Sequence, residues 1–317
     1  MAKYPLVNDK NMKFLVALPD VDYFLWQIIV QINNFKKFGL DNDLIYIIGR
    51  TTNNDNKFLN RLGELDCGSN FHIYDDERIE KNYSVSLRHN LLKKFFTQHQ
   101  SFYDRKEFFL IDPDVIFTKK LDLDDLLDND FWYVSDTRSY LDSKYIKSKG
   151  EELFHEMCEI VGIKPKMVEK NDNNAGGAQY LIKNTTPEFW GKVEKDSENL
   201  YTHMNNTSSK YNPEFPIQSW TADMWSLLWN AWLFGHKTKI VKKLNFSWAT
   251  DPIEKWKENA IFHNAGATSD RKDLFVKGDY QISPFNKDFP SVSDKYCSYN
   301  YIKEIKETEE NFKEFLF

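Results

Sequence analysis

Short apolar runs alternate with helix-type patterns over the first third of the chain. Four runs have the length and composition of buried strands, and they cover residues 14–18 (FLVAL), 44–48 (LIYII), 71–74 and 107–111 (EFFLI). Between them, helical patterns are predicted over residues 24–38, 56–65 and 84–97. Strands buried on both faces appear as continuous apolar runs, and strand–helix–strand alternation predicts parallel strands with right-handed crossovers. We therefore predict an α/β fold built on a Rossmann-like, doubly wound and mostly parallel sheet.

The second half of the chain is less regular. Further strands are predicted at residues 131–134, 179–182, 238–241 and 260–262. The remaining patterns predict a charged, partly helical insertion at about 139–173, a polar loop at 197–216, and a tryptophan-rich helix at 219–234. The charged segment after Pro284 is predicted to wrap the surface or to fray. We predict one domain over residues 1–285 and a C-terminal tail over 286–317.

Composition narrows the class of protein. The 317 residues carry 42 Lys and Arg against 48 Asp and Glu, a formal net charge of −6, which argues against binding to nucleic acid by bulk charge. The 41% of hydrophobic residues supplies a sizeable core. Three cysteines far apart suit a reducing compartment, and no apolar run approaches the ~20 residues that span a bilayer. We expect a soluble, cytoplasmic protein without a membrane span.

The stretch FFLIDPDVIF, residues 108–117, carries the most chemical information. Asp112 and Asp114 follow a buried strand, at the sheet edge where doubly wound folds bind their ligands. In extended backbone the two side chains would project to the same side, about 7 Å apart. Two carboxylates aimed at one point repel each other unless a cation lies between them, and hard oxygen ligands suit Mg²⁺ or Mn²⁺. Because Asp-x-Asp also occurs elsewhere in this acidic chain, its position after the strand gives this pair its weight.

This stretch resembles the metal-binding Asp-x-Asp motif of nucleotide-sugar glycosyltransferases with the GT-A fold. The resemblance includes the acidic, leucine-containing run that follows, FFLIDPDVIFTKKLDLDDLL. It implies a catalytic domain with a nucleotide-binding half (14–117) and an acceptor half (118–285). It also implies Mn²⁺ or Mg²⁺ as cofactor and a nucleoside-diphosphate sugar, with UDP as the expected nucleotide, as donor. Asp114 would be the direct metal ligand, and Asp112 would contact the ribose or a metal-bound water.

Other segments are similar to the retaining, glycogenin-like branch of that family. YSVSLRHNLL implies that Arg88 contacts the donor phosphate or sugar. IFHNAG implies that His263 completes the metal shell. The Lys-Pro-Trp that often follows this histidine in the family is replaced by DRKDLFVKG, which leaves Lys272 or Lys277 as the phosphate contact.

The segment NNAGGAQYLIKN resembles the Asn-Ala-Gly turn of the same branch. Gly176 and Gly177 permit close approach of the backbone to a sugar, because glycine has no side chain to obstruct it. By the same resemblance, Asn174 and Gln179 would hydrogen-bond the sugar hydroxyls. In a retaining enzyme these two residues would lie near the β-face of the transferred sugar.

Four further residues complete the predicted site. Asp223 lies near the start of the tryptophan-rich helix, where the helix dipole stabilises a carboxylate and where inverting GT-A enzymes place a catalytic base. Trp220, outside the first turn of that helix, is a candidate to stack on a sugar or a base. Asp22 and Tyr23, in LPDVDYF after the first predicted strand, correspond to the place where such enzymes hold the nucleobase.

Several alternatives remain open from the sequence. The glycogenin-like motifs favour retention of configuration, whereas the acid at the helix start favours inversion. The acceptor hydroxyl can belong to a protein, a glycan or a hydroxymethylated base in DNA. A nucleotidyltransferase of related fold is disfavoured because no glycine-rich loop follows the first strand. A non-catalytic sugar-binding protein would need neither the aspartate pair nor Arg88 and His263 together. The sequence assigns no donor sugar and no oligomeric state.

Overall fold

The structure is a computed structural model that describes residues 12–51, 57–65, 67–99 and 107–316. The first eleven residues and Asn56, where the second predicted helix begins, lie outside the described residues. The strands are β1 (Lys13–Pro19), β2 (Leu44–Arg50), β3 (Asn70–Asp75), β4 (Glu107–Leu110), β5 (Val115–Phe117), β6 (Phe131–Ser135), β7 (Gly177–Lys183), β8 (Lys237–Ile240), β9 (Phe246–Trp248) and β10 (Ile261–His263).

Helices cover most of the remaining described chain. The α-helices are α1 (Asp22–Lys37), α2 (Lys57–Gly63), α3 (Ser86–His99), α4 (Arg138–Leu141), α5 (Ser143–Lys149), α6 (Glu151–Val161), α7 (Pro165–Asn171), α8 (Pro187–Asn206), α9 (Ala222–Leu233), α10 (Lys255–Glu258), α11 (Cys297–Asn311) and α12 (Lys313–Leu316). Within the part of the chain that the structure describes, no helix has both the length and the apolar character needed to cross a bilayer.

A seven-stranded sheet with the order β3-β2-β1-β4-β7-β6-β8 forms the centre of the molecule. All neighbouring pairs run parallel except those of β7, which is antiparallel to both β4 and β6. The predicted α/β fold with a mostly parallel sheet is therefore confirmed. Since β7 runs in the opposite direction, its first residues lie at the sheet edge where β4 and β6 end.

A second, three-stranded sheet with the order β5-β10-β9 adjoins this edge. Strand β10 is antiparallel to β5, and the register sets His263 opposite Val115. It is parallel to β9, with His263 opposite Trp248. The apolar runs did not predict β5 or β9, since each is only three residues long.

Alternate residues of β1 enter different hydrophobic clusters. Phe14, Val16 and Leu18 pack with α1 and α11 on one face of the central sheet, while Leu15 and Ala17 pack with α3 and α8 on the other. A strand covered on both faces must be apolar throughout, which explains the continuous run FLVAL. The predicted insertion folds as α4 to α7 and packs with α8 and α9 in a third cluster.

Two predictions about the second half of the chain are wrong. The predicted loop at 197–216 is helical up to Asn206, because Val193, Leu200 and Met204 form a buried face that its polar residues obscure in the sequence. The C-terminal segment after Pro284 does not simply wrap the surface or fray. Its helix α11 packs against α1 and buries Tyr301 and Ile305.

Candidate active site

A tight turn after β4 carries the aspartate pair. The backbone N–H of Val115 donates to the carbonyl of Asp112 at 3.1 Å, so the pair does not lie in the extended backbone that the sequence suggested. The side-chain nitrogen of Gln31 on α1 donates to the carbonyls of Asp112 (2.9 Å) and Val115 (2.8 Å). The Tyr46 hydroxyl in turn donates to the Gln31 side chain at 2.9 Å. The turn that presents Asp114 is thus held by a buried hydrogen-bond network.

His263 reaches this turn from 149 residues further along the chain because β10 pairs with β5. Its Nε2 atom lies 3.4 Å from a carboxylate oxygen of Asp112 and 3.4 Å from one of Asp114. One ligand atom from each of these three residues lies within 4.8 Å of the others. The two 3.4 Å separations lie between the about 3 Å of adjacent ligands and the about 4 Å of opposite ligands around an ion bound at about 2.1 Å, so they fit Mg²⁺ or Mn²⁺. Two carboxylates and an imidazole are also a suitable donor set for such an ion.

Two cationic side chains flank the three residues. One terminal nitrogen of the Arg88 guanidinium, on α3, lies 2.7 Å from a carboxylate oxygen of Asp112. The second terminal nitrogen lies 3.6 Å from a carboxylate oxygen of Asp223. The Lys277 ammonium donates to the second oxygen of Asp114. Burial favours the neutral acid, yet the charge of Arg88 and the hydrogen bond from His263 outweigh it and lower the pKa of Asp112. Burial lowers the pKa of Lys277, but the Asp114 carboxylate raises it above its usual value, so Lys277 stays charged.

Asp223 lies in the first turn of α9, on the far side of Arg88 from the aspartate pair. The Tyr83 hydroxyl oxygen lies 2.9 Å from its carboxylate and 2.5 Å from the carbonyl oxygen of Trp220, so the two acceptors share one O–H donor. Burial raises the pKa of Asp223, and the Arg88 charge only partly offsets this effect. A carboxylate with a raised pKa is the kind of group that serves as a general base. The sequence did not single out Tyr83, although it opens the segment that contains Arg88.

The bulge between β6 and β7 aims Gln179 at the histidine. The register shifts between Val134 and Ser135, and Ala178 takes a positive φ of 67°. The Gln179 side-chain oxygen accepts from the Ser135 hydroxyl at 2.7 Å, and its nitrogen lies 3.2 Å from Nδ1 of His263. The Gln179 amide therefore lies between Ser135 and the imidazole and fixes the orientation of the ring.

Other members of the predicted set are engaged elsewhere. The Asn174 side chain accepts from the backbone of Ile240 at 3.4 Å, on β8. A Cβ atom at Gly176 would lie 2.3 Å from the Ser135 carbonyl, so close packing against β6 requires this glycine. A Cβ atom at Gly177 would lie 2.4 Å from the hydroxyl of Tyr180. The structure thus gives packing reasons for both glycines.

The residues predicted for the nucleobase lie at the start of α1. Asp22 is exposed, and Tyr23 is half-buried. Burial raises the pKa of the Tyr23 phenol, while the nearby charge of Lys277 lowers it, so Tyr23 lies beside the lysine that contacts Asp114. Trp220 is 57% exposed. It is available to a ligand next to Asp223.

Trp248 is a neighbour of the site that the sequence did not indicate. Its ring stacks on that of His263, with centroids 6.0 Å apart and planes 11° apart. The contact follows from the register of β9 and β10. No pattern in the sequence predicted β9, so the position of Trp248 could not have been inferred.

The metal-free protein should lose stability as the pH rises from 6.5 to 9. Burial lowers the pKa of His263, but Asp114 and Asp112 outweigh it and raise this pKa to about 9. A folded pKa above the unfolded value near 6.5 gives a stabilisation that is complete below pH 6.5 and disappears as the pH passes the folded pKa. Thermal unfolding in EDTA at constant ionic strength checks this. The decrease in Tm should be smaller in His263→Gln, and an equal decrease in both proteins would contradict it.

Comparison with known proteins gives likeness only at the level of structure. No protein-family model and no curated protein matches the chain. The galactosyltransferase LgtC, solved with donor and acceptor sugar analogs, is 11% identical with a TM-score of 0.44, covering 96% of this chain and all of LgtC. The bifunctional glycosyltransferase WbbM is 11% identical with a TM-score of 0.46, covering 96% of this chain but 53% of WbbM. Mouse xyloside xylosyltransferase 1 is 10% identical with a TM-score of 0.39, covering 80% of this chain and 97% of the mouse chain.

These structures belong to the class of enzyme that the sequence resembles, the glycosyltransferases. At 10–11% identity and TM-scores below 0.5, the likeness does not define what this chain acts on.

Proposed function

We propose that the protein is a metal-dependent glycosyltransferase that moves a sugar from a nucleoside-diphosphate sugar, with UDP as nucleotide, to a hydroxyl acceptor. The observation that carries this proposal is the meeting of Asp112, Asp114 and His263 at the carboxyl edge of the central sheet. The flanking cations Arg88 and Lys277 make the same place suitable for a diphosphate.

The chemistry of transfer accounts for this arrangement. The bond between the anomeric carbon and the diphosphate breaks, and negative charge grows on the leaving oxygen. A divalent ion held by Asp112, Asp114 and His263 would stabilise that charge. Lys277, whose pKa is raised, adds a fixed positive charge beside Asp114 and is proposed to contact a phosphate oxygen. Arg88 is proposed to contact the phosphate or the transferred sugar.

The acceptor side of the reaction is assigned to Asp223. Its carboxylate is buried, hydrogen-bonded by Tyr83, and separated from Asp112 by the Arg88 guanidinium. We assign it to bind the acceptor hydroxyl and accept its proton. Gln179 is a positioning residue, since Ser135 and His263 engage both ends of its amide. Tyr23 is proposed to stack on the nucleobase.

A cytoplasmic location is part of this proposal. In the described residues Cys158 and Cys297 form no disulfide. Burial raises the pKa of Cys158 to about 12 and that of Cys297 to about 11, so both stay protonated and unreactive near neutral pH. Free cysteines are typical of reducing compartments.

Metal removal tests the proposal directly. UDP should bind in calorimetry only when Mn²⁺ or Mg²⁺ is present, because the aspartate pair would otherwise repel the diphosphate. Hydrolysis of UDP-glucose or UDP-galactose should stop in EDTA and return when Mn²⁺ is added in excess.

Other results of these experiments would support a different function. Equal UDP binding with and without metal would contradict the metal role of Asp114. If no nucleotide sugar binds while free sugars do, the protein is a sugar-binding protein without transferase activity. If a nucleoside triphosphate and a sugar phosphate are consumed with release of pyrophosphate, it is a nucleotidyltransferase.

A further inference from the structure

An open groove with a volume of about 1050 Å³ adjoins the candidate active site. Its walls come from the loop after β6, from α5, from β9 and from α10. Trp248 lines the groove and stacks on His263, and so belongs to both places. Asp136, another lining residue, directly follows Ser135, whose hydroxyl holds Gln179. The groove and the candidate active site therefore share the Trp248 side chain as a boundary.

The lining combines aromatic faces with amide side chains. Tyr145, Phe246 and Trp248 supply rings, and the amides are those of Asn173, Asn245 and Asn259. Rings offer flat surfaces to the apolar C–H faces of sugars, and amides both donate to and accept from hydroxyl groups. Pockets for small organic ligands measure about 300–1,000 Å³, so this groove accommodates more than one sugar ring.

The charges of the groove select against a polyanion. Five acidic side chains line it against three basic ones: Asp136, Asp142, Asp172, Asp251 and Glu258 against Arg138, Lys144 and Lys255. Nucleic-acid binding depends on Lys and Arg that neutralise phosphates, and an acidic groove repels the DNA backbone. This disfavours a hydroxymethylated DNA base as acceptor.

Two of the five acidic groups are already paired with a cation of the protein, which leaves less unpaired negative charge for a basic peptide to bind. Asp136 accepts from Arg138 at 2.6 Å, and Glu258 accepts from Lys255 at 2.5 Å. The other three carboxylates are fixed by the hydrogen bonds from Tyr145 N–H to Asp142 (2.8 Å), Ser143 N–H to Asp172 (2.9 Å) and Trp248 N–H to Asp251 (2.8 Å). A carboxylate offers about four lone-pair sites, so these fixed groups can still accept from hydroxyls.

We infer that this groove binds the acceptor and that the acceptor is a neutral oligosaccharide. The inference rests on the proposed function, since it assigns the acceptor of that transfer. In this assignment one sugar lies against Trp248, beside the candidate active site, and the next ring reaches the Asp136–Arg138 pair.

The variant Arg138→Gln tests the inference with little risk to folding, because the Arg138 side chain is 46% exposed. Transfer from UDP-glucose and UDP-galactose is measured by mass spectrometry with lactose, maltose and cellobiose as acceptors. Loss of a charge-assisted hydrogen bond should raise KM for the acceptor about tenfold. Manganese-dependent UDP binding and donor hydrolysis should stay within about twofold of wild type, since Arg138 is outside the metal cluster.

Arg271→Gln is the matched control. Arg271 forms the same two-bonded exposed pair with Asp273 as Arg138 forms with Asp136, and it does not line the groove. An acceptor KM that changes equally in both variants, or in neither, overturns the inference. Transfer to a hydroxymethylated DNA duplex or to a lysine-rich peptide, with none to the disaccharides, also overturns it. If wild type neither binds UDP with Mn²⁺ nor hydrolyses donor, it is the proposed function that fails.

Discussion

Replacing Asp114 by Asn should lower kcat/KM for sugar transfer about thousandfold, the scale at which loss of one transition-state charge contact acts. Asn keeps the size of the side chain but removes the charge that would hold the ion. Asp114 is 2% exposed and contacts both Lys277 and His263, so no other carboxylate can take its place without rearranging the turn. Steady-state kinetics and calorimetric titration with Mn²⁺ measure the two expected losses.

The chain contains its own control for this substitution. Asp122 and Asp124 form a second Asp-x-Asp with both side chains exposed, ten residues after the first. Asp124→Asn should leave activity and Mn²⁺ affinity unchanged, because a solvated carboxylate outside the cluster contributes to neither. Full activity in Asp114→Asn, or equal loss in both variants, would show that the turn after β4 is not the metal site.

Arg88→Ala should lower kcat about 10²–10³-fold, because the guanidinium is the only described cation that bridges Asp112 and Asp223. Its removal leaves Asp112 and Asp223 without the cation that lies between them. Arg88→Lys should rescue little, since one ammonium cannot reproduce the two contacts of the planar fork. The effect should fall on kcat with both donor and acceptor saturating.

Lys94→Ala on the same helix is the control for Arg88. Lys94 pairs with Glu77, a residue that is largely exposed, and so should change the activity little. If Arg88→Ala lowers thermal stability but leaves kcat unchanged, Arg88 is a structural ion-pair partner and not part of the transfer machinery.

The sequence predicted the structure best where a pattern of residues has a single physical cause. Continuous apolar runs such as FLVAL require burial on both faces, and they predicted the parallel strands β1 and β2 correctly. Asp112 and Asp114 could be placed at the sheet edge because they follow such a run directly. The helix of α9 and the position of Asp223 in its first turn were likewise readable.

Pairing between strands that are distant in the sequence limited the prediction of the other site residues. Strands β5 and β9 are too short to leave a pattern, yet β5 brings His263 to the aspartate pair and β9 brings Trp248 to the histidine. The role of Gly176 also depends on a residue distant in the sequence. The sequence suggested that this glycine leaves room for a sugar, but the Ser135 carbonyl occupies the space beside it. The polar helix α8 was mistaken for a loop because its buried face is narrow.

The amino-acid sequence alone determined the α/β layering, the edge of the sheet that carries the candidate site, and the carboxylates placed there, since these depend on local burial patterns. The tertiary structure decided which distant side chains meet those carboxylates. Arg88, Gln179, Asp223 and Lys277 come from separate elements, and only strand order, the reversed direction of β7 and the bulge at Ala178 bring them together. The groove beyond Trp248 is also a product of tertiary structure, because its walls come from segments more than 100 residues apart.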